Sequence, residues 1–335
     1  MSGPVTSRRP VAPVSPPTGS STQVPPPVVA VRRKRRRDWR RTLPPLAFLA
    51  PMLLTLLAVS LYPVLRTIWL AFRNTSLETQ GDRFTGMSNV HRLQHDAVFW
   101  KAWRQTLEFT AVTTVAETLL GLVIALTLYK TFRGRGLIRA AVLVPWAIPT
   151  VVTSRMFGWL FDGQNGVVNY LLVHLHLVDH KVNFLGSTTL ALPTLMLADV
   201  WKTTPFIALL LLASLQTIPT SLIEAARIDG ASTWQFFWQV RLPLLMPALL
   251  VAGLLRALDA FRVFDLPYVL TGGGPASSTE TMSTIAYKTL FSGLELGYGS
   301  TIATAMFVTE ALIAGVFGLF ILRRLRWRSG RRSRC

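Results

Sequence analysis

The stretch Ile218–Pro247, IPTSLIEAARIDGASTWQFFWQVRLPLLMP, is an amphipathic, charge-bearing segment set between two strongly apolar blocks. Ser221 has the spacing to cap a first helix, with Glu224 three residues on to complete a capping box. Gly230 suits the left-handed position just past a helix end, which other residues enter only with strain. Ser232 and Gln235 repeat the box spacing for a second short helix. Pro243, which lacks an N–H and whose ring crowds the preceding turn, limits that helix. The segment therefore reads as a helix–turn–helix over 218–243. Between two membrane-length apolar blocks, such an element reads as a docking site for another protein.

Composition supports the membrane setting. Half of the 335 residues are hydrophobic and 15% are charged, a balance suited to a polytopic membrane protein rather than to a large soluble core. The net charge of +19 would otherwise suggest nucleic acid, but the basic residues cluster in the tails, where positive charge sets membrane orientation. The single cysteine, Cys335, closes no disulfide and builds no thiolate site within one chain.

Six apolar segments reach the roughly 20 residues that a helix needs to span a bilayer: 46–72, 106–129, 137–161, 190–215, 244–270 and 300–322. Prolines interrupt several of them, which membrane helices tolerate where neighbours satisfy the freed backbone. The expected organisation is a disordered basic tail over 1–43, a transmembrane domain over 44–325 and a short basic tail over 326–335. Arg32–Arg41 (RRKRRRDWRR) precedes the first apolar block and reads as a topological anchor. Lys130, Arg133, Arg135 and Arg139 crowd the second connection, and seven arginines follow residue 322. The connections at 73–105, 162–189 and 271–299 mix signs. This alternation predicts both termini, the 130–139 turn and the 218–243 segment in the cytoplasm of a cell inner or plasma membrane. His174, His176 and His180 share one outer connection without a supporting carboxylate pattern and read as a solvated loop.

Glu224-Ala225-Ala226, Asp229-Gly230-Ala231, Leu242-Pro243 and Pro247 together resemble the EAA loop of ABC-importer permeases, in the spacing of the sugar-importing branch. Phe84-Thr85-Gly86-Met87-Ser88-Asn89, Trp201-Lys202-Thr203-Thr204-Pro205-Phe206 and Phe264-Asp265 through Thr271-Gly272-Gly273-Gly274-Pro275 are similar to further stretches of that family. With six spans and a short first outer loop, the chain looks closest to compact trehalose- or maltose-type disaccharide permeases, particularly those of actinobacteria. The resemblance implies the all-α fold of a type I ABC importer permease and a coupling role for Glu224, Ala225, Ala226, Asp229, Gly230, Ala231, Leu242 and Pro243 against an ATPase subunit. Trp234, Phe236, Phe237 and Trp238 are expected to bury the second helix against the chain's own spans. The implied partners are a second homologous permease subunit, two ATPase subunits that hold ATP and Mg, and an extracytoplasmic sugar-binding protein. No cofactor is expected in this chain, nor any ATPase site, since no Walker A sequence is present.

Ionisable groups at membrane depth are costly, about 2.5–3.5 kcal/mol each on insertion scales, and so face a cavity or a partner. The fourth block holds Asp199 and Lys202. The fifth holds Arg256, Asp259, Arg262 and Asp265 at intervals of three, a spacing at which opposite charges on a helix can pair. Two readings are open, a self-neutralising ladder or the polar wall of a sugar path. Trp146, Arg155, Trp201, Thr203, Phe261 and Tyr268 complete the candidate path, since sugars take flat aromatic faces beside hydrogen-bonding groups. Glu117 and Glu310 stand as isolated acids in the second and sixth blocks and are expected to serve packing or inter-subunit bonds. Two other functions compete: a membrane-embedded glycosyl- or lipid-transferase using Asp259 or Asp265, and a stand-alone proton-coupled transporter using Glu117 or Glu310. Basic neighbours argue against a free catalytic acid, and no internal repeat supports the second.

Overall fold

The computed structural model describes residues 49–76, 81–130 and 133–332, with side chains as far as Ile321. The expected N-terminal tail, the Arg32–Arg41 run, the first residues of the first apolar block and Cys335 lie outside them. By its contacts the chain divides between Thr55 and Leu56. Of the first unit, residues 49–55 are described and are helical. The second unit, from Leu56 onward, holds the cavities and the docking segment.

Among the described residues five helices are long and apolar enough to cross a membrane, or six if one sharply bent pair is counted as a single span. They are α1 (Leu49–Ala71), α3 (Ala97–Tyr129), the pair α4 (Arg135–Ala147) and α5 (Thr150–Leu160), α7 (Ala191–Gln216), α9 (Thr233–Phe261) and α12 (Leu296–Arg332). Shorter helices join them: α2 (Ser88–His95), α6 (Val167–His174), α8 (Thr220–Ile228), α10 (Asp265–Leu270) and α11 (Met282–Tyr287).

Several expected boundaries move, each for a physical reason. The second span begins at Ala97 rather than at 106, because the Asp96 carboxylate accepts from the Val98 and Phe99 amides and caps the helix early. The third block is not one rod. Pro145 sits inside α4, Ile148 is extended, Pro149 caps α5, and the two halves meet at 90°. The fifth block starts at Thr233, earlier than expected, and breaks at Phe261, leaving α10 as a separate helix.

Pro243 does not stop the second helix of the docking segment. A π-turn over Phe237–Arg241, closed by the Leu242 amide to the Phe237 carbonyl, precedes it and lets the helix run on. The same device recurs in α1, where a π-turn over Leu57–Leu61 is closed by the Tyr62 amide just ahead of Pro63. In both places the skipped residue changes the bonding partners on the turn before the proline, where an ordinary turn would meet the ring.

α3 and α7 form the closest packed pair. Gly121 is the reason: a Cβ there would lie 2.7 Å from Ile207 Cγ2 and 3.1 Å from the Ala208 amide nitrogen. One turn before, Thr203 bonds Glu117, and one turn after, Ala125 and Leu211 share a core cluster. Contacts that advance by four residues on both helices place α3 and α7 parallel. After α1, a β-hairpin (β1, Arg73–Thr75; β2, Asp82–Phe84) forms the start of the connection to α2. Asn89 donates from Nδ2 to the carbonyls of Ala71 (3.0 Å) and Arg73 (2.9 Å), meeting acceptors that the end of α1 leaves open. Gly86, at φ +58°, makes the turn that brings it there.

Gly121→Leu should separate α3 from α7 and cost about 1–3 kcal/mol, as overpacking does in a filled core, read as a lowered unfolding temperature of the purified protein. Beyond α5, the Asp162 carboxyl is held below its usual range by the amides of Asn165 and Gln164. A depressed carboxylate stabilises the fold fully above its unfolded value, and that contribution is lost as pH falls through the folded one. Amide exchange at Gln164 and Asn165, corrected for intrinsic rate, should therefore accelerate below about pH 4. In Asp162→Ala it should be fast and flat with pH.

Candidate functional site

A polar cavity of about 340 Å³ opens between α5, α7, α9 and α10. It is lined by Asp199, Lys202, Thr203, Arg256, Asp259, Arg262 and Asp265, all in the candidate path read from sequence, together with Thr150, Val263, Phe264 and Leu266, which were not in that path. Its deep wall is built on Arg256, 2% exposed. The guanidinium grips Glu117 with two nitrogens: Nε donates to Oε2, and Nη2 donates to Oε1 at 3.0 Å. Nη2 also donates to Asp199 Oδ2, and Nη1 reaches Asp259 Oδ2 at 3.0 Å. Thr203 donates to Glu117 Oε1 at 2.6 Å. A planar guanidinium is suited to this paired recognition, and a lysine would not reproduce it.

Of the two readings left open for the fifth span, the self-neutralising ladder is only partly present. Arg256 does pair with Asp259 three residues on, but its buried partners come from α3 and α7. The helix ends before the next rung, so Arg262 turns to Glu310 of α12 (3.2 Å) and Asp265 begins α10. Neither Glu117 nor Glu310 is isolated. Glu117 was the miss of sequence reasoning: its partner stands 139 residues away, and no local spacing announces it.

The aromatic candidates do not gather here. Phe261 is fully buried in a core cluster with Leu93, Phe99 and Met282 and cannot face a path. Trp146 stacks on Phe206 with centroids 5.6 Å apart, and Trp201 tilts against Phe157 at 5.6 Å. Tyr268 packs on Phe264 and Tyr287, while Arg155 is exposed on α5 away from the cavity lining. The aromatic side chain in the cavity lining is Phe264, itself stacked on Tyr268.

The docking segment folds as two helices, with one correction at its start. α8 is preceded by Pro219 and has no side-chain cap, so Ser221 and Glu224 form no capping box. Its end matches the expectation. Gly230 takes φ +70°, its amide bonds the Arg227 carbonyl, and the Ala231 amide bonds the Ala226 carbonyl, the two bonds of a Schellman motif. The box at Ser232 and Gln235 is formed in full. Ile223 and Ala226 turn toward the spans, and Glu224, Ala225, Asp229 and Gly230 face outward. Ile228 (87% exposed) and Leu222 join them, giving the outward face exposed apolar side chains that the motif alone does not mark. Of the four aromatics expected to bury α9 only Phe236 does so; Trp234 and Trp238 are exposed, and Phe237 is half-buried.

Comparisons with known proteins agree along most of the chain. Residues 117–327 match the family described as the binding-protein-dependent transport system inner membrane component. The chain is 42% identical over 258 residues to the trehalose/maltose transport system permease protein MalF of Thermococcus litoralis, covering 77% of this chain and 86% of that one. It is 41% identical over 275 residues to the trehalose transport system permease protein SugA of Mycobacterium tuberculosis, covering 81% and 87%. Among solved structures, a bacterial ABC transporter involved in the import of the acidic polysaccharide alginate superposes with a TM-score of 0.74 at 21% identity, over 85% of this chain and 97% of that one. That last likeness concerns the fold.

Removing one partner of a buried ion pair leaves an uncompensated charge, which costs about 3–5 kcal/mol. Arg256→Met should lower the unfolding temperature accordingly. Asp259→Asn, at a rim position whose side chain is 70% exposed, should cost about 0–1 kcal/mol. Equal shifts in thermal unfolding of the two purified variants would contradict this division.

Proposed function

The chain belongs to the family of binding-protein-dependent transport system inner membrane components, and from that premise we propose that it is a permease subunit of an ATP-driven sugar importer, carrying a disaccharide of the trehalose or maltose kind. The observation that carries the sugar reading is the identity of 41–42% with permeases named for trehalose and maltose, sustained over more than three quarters of the chain. The cavity chemistry supports it. Lys202 and Arg262 donate, Asp259 and Asp265 accept, Thr150 does either, and Phe264 adds an aromatic side chain to the wall. A neutral polyhydroxylated solute uses all three kinds of contact, since each sugar hydroxyl is both donor and acceptor.

In this reading the open side of the cavity is completed by a second, homologous permease subunit. Both termini, the 130–139 turn and the 218–243 segment lie in the cytoplasm, following the excess of Lys and Arg at those connections. The outward face of α8 sits on one of two ATPase subunits, with Glu224 and Asp229 as acceptors, Ile228 and Leu222 as apolar anchors and Gly230 fixing the turn. ATP and Mg belong to those subunits. An extracytoplasmic binding protein delivers the solute, and the turn from Thr271 to Pro275 lies on its side of the membrane. Transport proceeds by alternating access: closure of the ATPase pair carries the docking helices inward and opens the cavity outward.

Replacing Gly230 by Val forces a β-branched residue into a left-handed conformation, and Glu224→Lys reverses a charge on the docking face. Each is expected to abolish ATPase co-purification and to reduce sugar uptake at least tenfold in cells, with the membrane level of the chain unchanged. Unaltered assembly together with unaltered uptake would sink the proposal. A panel of disaccharides against the ATPase rate of the reconstituted complex identifies the solute, with trehalose or maltose expected to stimulate most.

A further inference from the structure

At the end of the spans that carries α8, a second cavity of about 670 Å³ is lined by Lys130, Arg135, Arg139, Arg227 and Arg241, with no acidic residue in its wall. None of these five cations forms an ion pair with an acid among the described residues. Arg241 lies over the rings of Phe236 and Tyr129, 5.0 and 5.5 Å from their centroids. Arg139 gives Nη2 to the Leu128 carbonyl at 3.2 Å, while its Nε is buried with no acceptor. Five cationic side chains around one cavity, with no acid in its wall, form a setting that an anion would complete. α4 also begins here, after Gly134 and without a side-chain cap, so its first amides and the positive end of its dipole are open.

The geometry points to the headgroup phosphate of an anionic phospholipid. The cavity sits where spans end: Tyr129 is the last residue of α3 and Gln216 the last of α7. A lipid phosphate could reach that level. Leu126, one turn deeper, and Ile223 of α8 supply an apolar border for the upper part of an acyl chain. A phosphate seated here bridges Arg139 of α4, Arg241 of α9 and Arg227 of α8, and so ties the docking helix to the spans through a lipid. Basic pockets between helices at the cytoplasmic side of membrane proteins have the required chemistry. This inference goes beyond the transport reading and does not depend on which solute the chain carries.

The test uses the full chain purified with its partner subunits into mixed micelles containing phosphatidylglycerol and phosphatidylcholine in equal amounts, and counts retained lipids by native mass spectrometry. The parent chain is expected to retain phosphatidylglycerol in preference. Loss of about fivefold per removed charge is expected in the paired variant Arg139→Gln and Arg227→Gln, with recovery when both are lysine instead. Lys130→Glu, an exposed position that leaves the interior intact, should also lower retention. Arg83→Gln, an exposed cation on β2, should not. Equal retention in parent, paired variant and Lys130→Glu would overturn the proposal, as would equal retention of the two lipids by the parent. Displacement of the lipid by 20 mM inorganic phosphate would assign the cavity to a free anion and likewise overturn it.

Discussion

Arg256 is the constraint around which the membrane domain is arranged. A guanidinium buried among apolar helices is tolerated only where its donors are met, and here they are met by acids from two other spans. The grip on Glu117 and Asp199 therefore fixes α9 against α3 and α7. Gly121 lies one turn from Glu117 and Ile207 one turn from Thr203, so the same faces that bring the charges together also bring the backbones close. Ion pairing and packing select one register.

That register also decides what reaches the cavity. Arg256 presents its buried side to α3 and α7 and its remaining nitrogen to Asp259 at the rim. The wall is thus fixed in position while Lys202, Arg262 and Asp265 stand beside it with freer side chains. At the other end of α9, the Ser232–Gln235 box starts the same helix directly after the docking turn. The π-turn before Pro243 keeps it continuous, so 29 residues, about 43 Å of helix, join the docking segment to the cavity. In the proposed importer, motion received at α8 would have a continuous helical route to the wall built on Arg256.

Sequence made the spans and the docking turn legible because both are local. Twenty apolar residues need no partner to declare themselves, and the glycine at 230 is required by its own backbone angle. The polar residues of the cavity were legible by cost, since charges at Asp199, Arg256 and Asp259 have no place in lipid. What local reading could not supply was pairing. Glu117 looks isolated until α3 and α9 are side by side, and the regular intervals from Arg256 to Asp265 suggested a ladder that ends when the helix does at Phe261. The prolines misled in both directions. Pro243 is absorbed by a π-turn, whereas Pro145 and Pro149 together bend a single apolar block through 90°. Aromatics carried the least information, because stacking on Phe206 or Phe157 satisfies a tryptophan as well as a sugar would.

The central claim is that the cavity beside Arg256 belongs to the transport path and changes the side it faces. Its most direct test is side-specific labelling of Asp265→Cys, an exposed cavity position without a described ion pair, in a chain whose only native cysteine, Cys335, is replaced by serine. The full complex is reconstituted in vesicles and exposed to a membrane-impermeant thiol reagent from one face or the other. The account predicts labelling from the cytoplasmic face at rest and from the opposite face when ATP holds the ATPase subunits closed. Labelling from the same face in both states, or from neither, would contradict it.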